Sequence, residues 1–93
     1  MAAEIHHDET RHRFTHERDG LVSYLAYRQV DAHTVDFVST YTPPPLRGRG
    51  IAARVVTRAL EWADSNGYKV IPSCWFVAEV IDRQPEWRRL LPS

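Results

Sequence analysis

The chain has 93 residues, 43% of them hydrophobic and 26% charged, which is the size and composition of one small globular domain. Twelve Lys and Arg side chains balance twelve Asp and Glu, so the chain lacks the basic excess on which non-specific nucleic-acid binding depends. It has a single cysteine, and no run of ~18 apolar residues that could span a membrane. Residues 1–10 are polar, without the apolar core of a secretory signal. We interpret them as a flexible tail, residues 11–93 as one domain, and the protein as cytoplasmic.

The segment after this tail predicts three antiparallel strands. Asp19-Gly20 is a strong signal for a two-residue hairpin turn, and it separates His12–Arg18 from Leu21–Gln29. His33–Thr42 is rich in β-branched and aromatic residues, which favours a third strand. The three segments together predict a meander.

A proline run and then a helix follow the third strand. Pro43-Pro44-Pro45 cannot donate ladder hydrogen bonds, so the strand ends there. From Ile51 to Ala63, apolar residues recur at the spacing of one face of an amphipathic helix. Asn66-Gly67 supplies a C-terminal cap, so we expect a long helix that ends at this pair.

The rest of the chain predicts one more strand and short helices. Val70-Ile71 is an apolar run that leaves the long helix, so it should form a fourth strand parallel to the third through a βαβ crossover. The pattern predicts a short helix over Trp75–Arg83 and a last amphipathic turn over Glu86–Leu91. The predicted class is α/β: an antiparallel three-stranded meander, a long helix, a fourth strand parallel to the third, and short C-terminal helices.

The loop before the long helix carries the pattern with the clearest chemical meaning. Its sequence is Arg47-Gly48-Arg49-Gly50-Ile51-Ala52. The first N–H groups of a helix have no partner within the helix, and the helix dipole favours negative charge there. The glycines let an anion approach the backbone and the two arginines add positive charge, which favours a phosphate or pyrophosphate site. The alternative is a tight turn with solvated arginines.

The spacing excludes two other phosphate-binding motifs. A P-loop needs Gly-x-x-x-x-Gly-Lys followed by Ser or Thr, and the chain has no such run. A dinucleotide fold needs Gly-x-Gly-x-x-Gly, but Ala53 stands at the third glycine position and the chain is too short for two mononucleotide halves.

The loop also resembles a known family. Arg47-x-x-Gly50-x-Ala52 is similar to the Arg/Gln-x-x-Gly-x-Gly/Ala signature of the GNAT superfamily of acetyltransferases. Several separated runs resemble, in the same order, the small YjdJ-type branch of that superfamily: Tyr41–Ala52, Gly67–Cys74, Phe76-Val77 and Pro85-Glu86. The resemblance spans roughly residues 12–90 and implies a GNAT-like fold that binds acetyl-CoA and transfers its acetyl group to an amine.

The resemblance also implies which residues bind the cofactor. Backbone amides around Arg49 to Ala52 would hold the pyrophosphate, and Thr40 to Thr42 would lie along the pantetheine arm. The expected cofactor-binding residues are thus Thr40, Tyr41, Thr42, Arg47, Gly48, Arg49, Gly50, Ile51 and Ala52.

Three departures from the branch weaken the expectation of catalysis. The branch usually has His where this chain has Ser39, Tyr where it has Val80, and His where it has Gln84. These replacements remove two proton carriers and one aromatic hydroxyl. They favour an alternative function, a module that binds CoA or acyl-CoA without catalysis.

Cys74 is the candidate catalytic residue. It follows the fourth strand and begins a helical pattern, and a helix N-terminus stabilises a thiolate. It could be a nucleophile that briefly holds the acetyl group, or an unreactive thiol beside the thioester. It could also be a small buried hydrophobic residue, which is the usual state of a free cysteine.

The sequence suggests no metal site and identifies no acceptor. His12 and His16 are four residues apart but fall in a predicted strand without a third ligand, so we interpret them as solvated. The acceptor amine stays unidentified, because a full GNAT domain has extra N-terminal elements that shape the acceptor site. A second copy or a partner protein could complete that site.

Overall fold

The computed structural model describes residues 5–93, which form a five-stranded mixed sheet with two α-helices and two 3-10 turns. The sheet order follows the chain, and β1 to β4 are antiparallel whereas β5 is parallel to β4. The elements are β1 (Ile5–Asp8), β2 (Arg13–Arg18), β3 (Leu21–Asp31), β4 (Thr34–Tyr41), the turn Pro44–Leu46, α1 (Ile51–Ser65), β5 (Lys69–Ile71), α2 (Trp75–Arg83) and the turn Pro85–Leu90. The predicted α/β class and the parallel crossover are confirmed.

The sheet has one strand more than the predicted meander, because residues 5–8 form β1 at its edge. The prediction of a flexible tail is therefore wrong for these residues, and residues 1–4 of that tail lie outside the described part. The ring of His7 stacks on Phe14 with 4.1 Å between centroids, and Ile5 packs on the core. The polar sequence of these residues gave no strand pattern. A histidine ring can nevertheless pack inside a protein where its nitrogen has a hydrogen-bond partner.

The Asp19-Gly20 turn is confirmed as the link between β2 and β3. Both residues have positive φ, 53° and 76°, as a two-residue hairpin turn of the primed type requires. Arg18 pairs with Leu21 directly across the turn.

One face of the sheet is covered by α1. The helix buries the apolar stripe that the sequence predicts, against inward side chains of β2, β3 and β4 such as Phe14, Leu25 and Phe37. The buried helix residues are Ile51, Val55, Val56, Ala59, Leu60 and Ala63. Their burial fixes the start of α1 beside the end of β4.

The C-terminal segment closes the end of the core. α2 has the predicted bounds and buries Val77, Val80 and Ile81. Nη2 of Arg89 lies 2.8 Å from Oδ2 of Asp64 and ties the last turn to α1. Within the described range, neither helix is long and apolar enough to cross a membrane.

Candidate functional site

β5 covers only the first part of β4. β5 pairs with β4 only at Thr34–Asp36, and the last link is the Cys74 N–H, which donates to the carbonyl of Phe37 at 3.1 Å. A bulge at Val38, between the Tyr27–Phe37 and Ala26–Ser39 pairs, locally bends a strand. Beyond it, none of the described strands pairs with this edge of β4, so the edge stays open.

This open edge borders a cavity of about 550 Å³ whose other wall is the start of α2. The lining residues are Val38, Ser39, Thr40, Tyr41, Thr42, Arg47, Ala52, Ser73, Cys74, Trp75 and Phe76. The lining includes Thr40, Tyr41 and Thr42, which the sequence predicts along the pantetheine arm, together with Cys74.

A second cavity, of about 320 Å³, lies at the N-terminus of α1. It is lined by Thr42, Leu46, Arg47, Gly48, Gly50, Ile51, Ala52, Ala53, Phe76 and Arg83. Thr42, Arg47, Ala52 and Phe76 line both cavities. The two therefore form one continuous depression, which we call the β4–α2 groove.

Unpaired backbone N–H groups lie at the second cavity. Gly48 and Gly50 have φ of 81° and 75°, the left-handed region that favours glycine. The first helical hydrogen bond of α1 runs from the N–H of Arg54 to the carbonyl of Gly50 at 3.2 Å, and in the described chain no side chain caps the helix. Within residues 5–93, none of the N–H groups from Gly48 to Ala53 has a hydrogen-bond acceptor. Such a group of amides at a helix N-terminus fits an anion.

The groove is positively charged although the chain as a whole is neutral. Nε of Arg47 donates to the carbonyl of Thr42 at 2.9 Å, which fixes this side chain where the two cavities meet. Arg83 lies on the opposite wall, on α2. No Asp or Glu is among the described lining residues. Arg49, expected at the cofactor, lines neither cavity.

Cys74 lies at the other end of the groove. Its side chain is 9% exposed, and its sulfur lies 3.6 Å from Oγ1 of Thr40. It is the N-cap residue of α2, as the sequence predicts. The described lining of this cavity contains no His, Asp or Glu. The nearby groups that carry a transferable proton are therefore the thiol and hydroxyls, among them those of Ser39 and Tyr41.

The three departures from the family branch occupy different places. Ser39 lines the groove beside Thr40. Val80 is buried in the core, and Gln84 accepts a hydrogen bond from Nε1 of Trp87 at 2.9 Å. Neither of these two residues lines the groove, so only position 39 bears directly on its chemistry.

The histidines stay outside the groove. His16 is 3% exposed and points with Phe14 to the inner face of the sheet, so the interpretation of this residue as solvated is wrong. Alternation along β2 carries both side chains inward. His12 is exposed and stacks on Tyr27. No group of three or more metal-binding side chains occurs in the part of the chain that the structure describes.

The sequence-based prediction of the cofactor site leaves out several groove residues, among them Phe76 and Arg83. Phe76 lines both cavities and Arg83 lines the second. They are seven residues apart on α2, which places them on one face two turns apart. That spacing was the signal available in the sequence, but it has meaning only once this face of α2 is known to border the groove.

A Gly-rich loop that opens a long helix, followed by a strand parallel to β4, agrees with the GNAT-like fold that the sequence resemblance implies. The sequence profile described as "GCN5-related N-acetyl-transferase" matches residues 11–90, so the chain belongs to this family. It is 30% identical to protein NATD1 of Gallus gallus over 84 residues, 88% of this chain and 76% of that protein. It is also 30% identical to protein NATD1 of Homo sapiens over 83 residues, 87% of this chain and 74% of that protein.

The fold is also similar to a solved structure. The NMR structure of a GCN5-like protein from Staphylococcus aureus superposes with a TM-score of 0.76, over 98% of this chain and 89% of that one. The two sequences are 23% identical, and the likeness therefore supports the fold.

Proposed function

We propose that the β4–α2 groove binds acetyl-CoA and that the chain transfers the acetyl group to an amine. One observation carries this proposal: the unpaired amides of Gly48 and Gly50–Ala53 and the charged side chains of Arg47 and Arg83 lie in the same groove as the Cys74 thiol. The amides fit the diphosphate of the cofactor. The neutral end, beside Thr40 and Cys74, fits the thioester.

The open edge of β4 supports the same placement. The pantetheine arm of CoA contains two amide groups, and Val38–Tyr41 presents strand backbone that pairs with none of the described strands on that side. Amides pair readily with such an edge, as a peptide does when it adds a strand to a sheet. The expected role of Thr40, Tyr41 and Thr42 along this arm is therefore part of the proposal.

The groove allows two routes for the acetyl group. In the direct route, the neutral acceptor amine attacks the acetyl carbonyl carbon, the C–N bond forms, the C–S bond to CoA breaks, and the amine proton ends on the CoA thiolate or in water. In the other route, the Cys74 thiolate takes the acetyl group first and releases CoA thiolate, and the amine then displaces Cys74. An acceptor would enter past Trp75, whose side chain is 74% exposed at the rim.

A second candidate function is a module that binds CoA or acyl-CoA without catalysis. It is favoured by the lining of the first cavity, which within the described chain contains no carboxylate or imidazole to take a proton from the amine. The two functions share the binding groove and differ only in turnover.

Ligand-dependent melting tests the binding. At a concentration of 100 times Kd, a ligand that binds only the folded state adds about 2.7 kcal/mol. For a domain of this size that is roughly 10–20 °C in Tm. Acetyl-CoA should raise the Tm of the wild type and leave that of Gly50→Asp unchanged, since the carboxylate stands where the phosphates would bind.

Two matched variants separate charge from backbone strain. Gly50→Asn has nearly the shape of Gly50→Asp without the charge, and Asn tolerates positive φ better than most residues. Gly67→Asp places the same side chain at φ 74°, at the far end of α1. With acetyl-CoA, Gly67→Asp should keep the full Tm shift and Gly50→Asn a reduced one, since its side chain crowds the anion without repelling it. No shift in the wild type at millimolar ligand would overturn the proposal.

Intact-mass spectrometry after incubation with acetyl-CoA tests the chemistry. Acetylated wild type and unmodified Cys74→Ala would support the route through Cys74. If both proteins stay unmodified and acetylate a panel of amines equally, the direct route holds. Binding without turnover of any amine would favour the non-catalytic module.

A further inference from the structure

The second cavity, at the N-terminus of α1, is lined by one arginine from the loop and another from α2. Arg83 is the last residue of α2, and its side chain lines this cavity together with Gly48, Gly50 and Ala53. It does not line the cavity that holds Cys74. Its charge therefore lies at the end of the groove that the proposed function gives to the phosphates, away from the thioester.

The neighbouring arginines of the C-terminal segment have other partners. Arg89 pairs with Asp64 on α1, and Nη2 of Arg88 lies 3.4 Å from Oδ1 of Asp82. Neither of them lines the groove. Arg83 thus differs from them in position, although all three side chains are largely exposed.

The present partner of Arg83 leaves it able to bind a stronger anion. Its Nη2 lies 2.8 Å from Oε1 of Glu79, one turn back on α2. The Arg83 side chain is 76% exposed, and such surface ion pairs are weak. Guanidinium–phosphate contacts are charge-assisted and often bidentate, so a phosphate competes well with a single carboxylate oxygen.

We infer that Arg83 binds a phosphate group of the cofactor from the wall opposite the Gly48–Ala53 loop. This inference rests on the proposed function, since it names a further contact of the same ligand. Arg47 and Arg83 then hold the nucleotide end from two sides, one on the loop and one on α2. CoA offers two kinds of phosphate here, the diphosphate and the 3′-phosphate of the ribose.

Calorimetric titration of the full chain with CoA and with 3′-dephospho-CoA tests the inference. Arg83→Gln should weaken CoA binding by about tenfold, the size expected for one charge-assisted contact. Arg83→Lys keeps the charge but lacks the planar guanidinium that donates two parallel hydrogen bonds, so it should recover part of the lost affinity. Arg88→Gln removes a comparably exposed, paired arginine outside the groove and should bind CoA as the wild type does.

The two ligands identify the phosphate. A loss in Arg83→Gln that occurs with CoA but not with 3′-dephospho-CoA assigns the contact to the 3′-phosphate, and an equal loss with both assigns it to the diphosphate. Wild-type affinity in Arg83→Gln, or an equal loss in Arg88→Gln, would overturn the inference. If Gly50→Asp still abolishes binding in that case, the proposed function stands without Arg83, whereas a wild type that binds neither ligand would overturn both.

Discussion

The hydroxyl of Tyr27 lies 2.7 Å from Nε2 of His7, and this contact joins the edge strand β1 to β3 across β2. The His7 ring also stacks on Phe14 and meets Trp62 edge-on at 4.8 Å. Burial raises the pKa of Tyr27 to about 12. Burial is also the largest influence on His7 and lowers its pKa below 6.5.

Because of His7, we predict that the free energy of unfolding falls as the pH drops below about 6.5. Arg58 and His12 add to the lowering of the His7 pKa, whereas Glu9 and Asp8 oppose it. The unfolded chain therefore takes up the proton first. The stabilisation from neutral His7 is complete above 6.5 and is lost as the pH falls from there toward the lower pKa of the folded protein. Urea denaturation at a series of pH values between 7.5 and 5.5 measures it.

Two variants isolate the contribution of His7. His7→Gln can still bond the Tyr27 hydroxyl but does not titrate, so its stability should change less over this range. Tyr27→Phe keeps the partly buried His7 ring and should keep the wild-type dependence. The pKa values of Asp31 and Asp64 are lowered by hydrogen bonds below 3.8, outside the window. A His7→Gln curve parallel to that of the wild type would contradict the prediction.

The core beneath the sheet is thin, so truncation of one large buried side chain should remove a sizeable part of the free energy of unfolding. Leu60 is fully buried on α1, and Leu60→Ala should cost about 2–5 kcal/mol of the about 5–15 kcal/mol typical of a domain. Val22 is 42% exposed on β3, and Val22→Ala should change stability by no more than about 0.5 kcal/mol. Unfolding by guanidinium chloride compares the midpoints of the two variants with that of the wild type. Equal midpoints for the two variants would show that α1 does not pack as described.

The sulfur of Cys74 should report occupation of the groove. Its side chain is 9% exposed, and the cavity it lines is the one proposed for the pantetheine arm. We predict that CoA slows alkylation of Cys74 by iodoacetamide in proportion to the free protein, about 100-fold at 100 times Kd. Mass spectrometry gives one signal because the chain has one cysteine. Gly50→Asp should show no protection, and an unchanged rate in the wild type would place the ligand elsewhere.

The sequence predicts most elements of this fold because their patterns are local. The period of α1, the Asp19-Gly20 turn and the proline run each depend on neighbouring residues, and each is confirmed. β1 depends instead on contacts of His7 with Phe14 and Tyr27, which lie seven and 20 residues further along the chain. No local pattern in a polar segment indicates such partners.

The same contrast holds in the groove. The loop from Arg47 to Ala52 can be predicted because the glycine spacing and the start of the helix are both visible in the local sequence. The bulge at Val38, which opens β4 beside Cys74, depends on register with β3. Arg83 reaches the loop only through the packing of α2. The loop side of the groove is therefore largely predictable from the sequence, whereas the α2 side follows from tertiary structure.

The lining of the first cavity leads to a last prediction, on the pH dependence of acetyl transfer. In the described chain, no carboxylate or imidazole lines this cavity, so the acceptor amine would have to lose its proton in solution before it attacks. For direct transfer, kcat/KM should rise tenfold per pH unit up to the pKa of each acceptor. For a set of amines of graded basicity, the pH at which the rate stops rising should then follow the pKa of each amine.

The same set of amines distinguishes the two routes of transfer. If Cys74 takes the acetyl group in a rate-limiting first step, the rate no longer depends on the basicity of the amine, and the acceptors share one profile that Cys74→Ala abolishes. A shared break that survives Cys74→Ala would show that a protein base acts in the reaction. That base would be a hydroxyl of the lining, such as that of Tyr41, or a group from beyond the described lining. Either would contradict the direct mechanism, in which the amine loses its proton in solution.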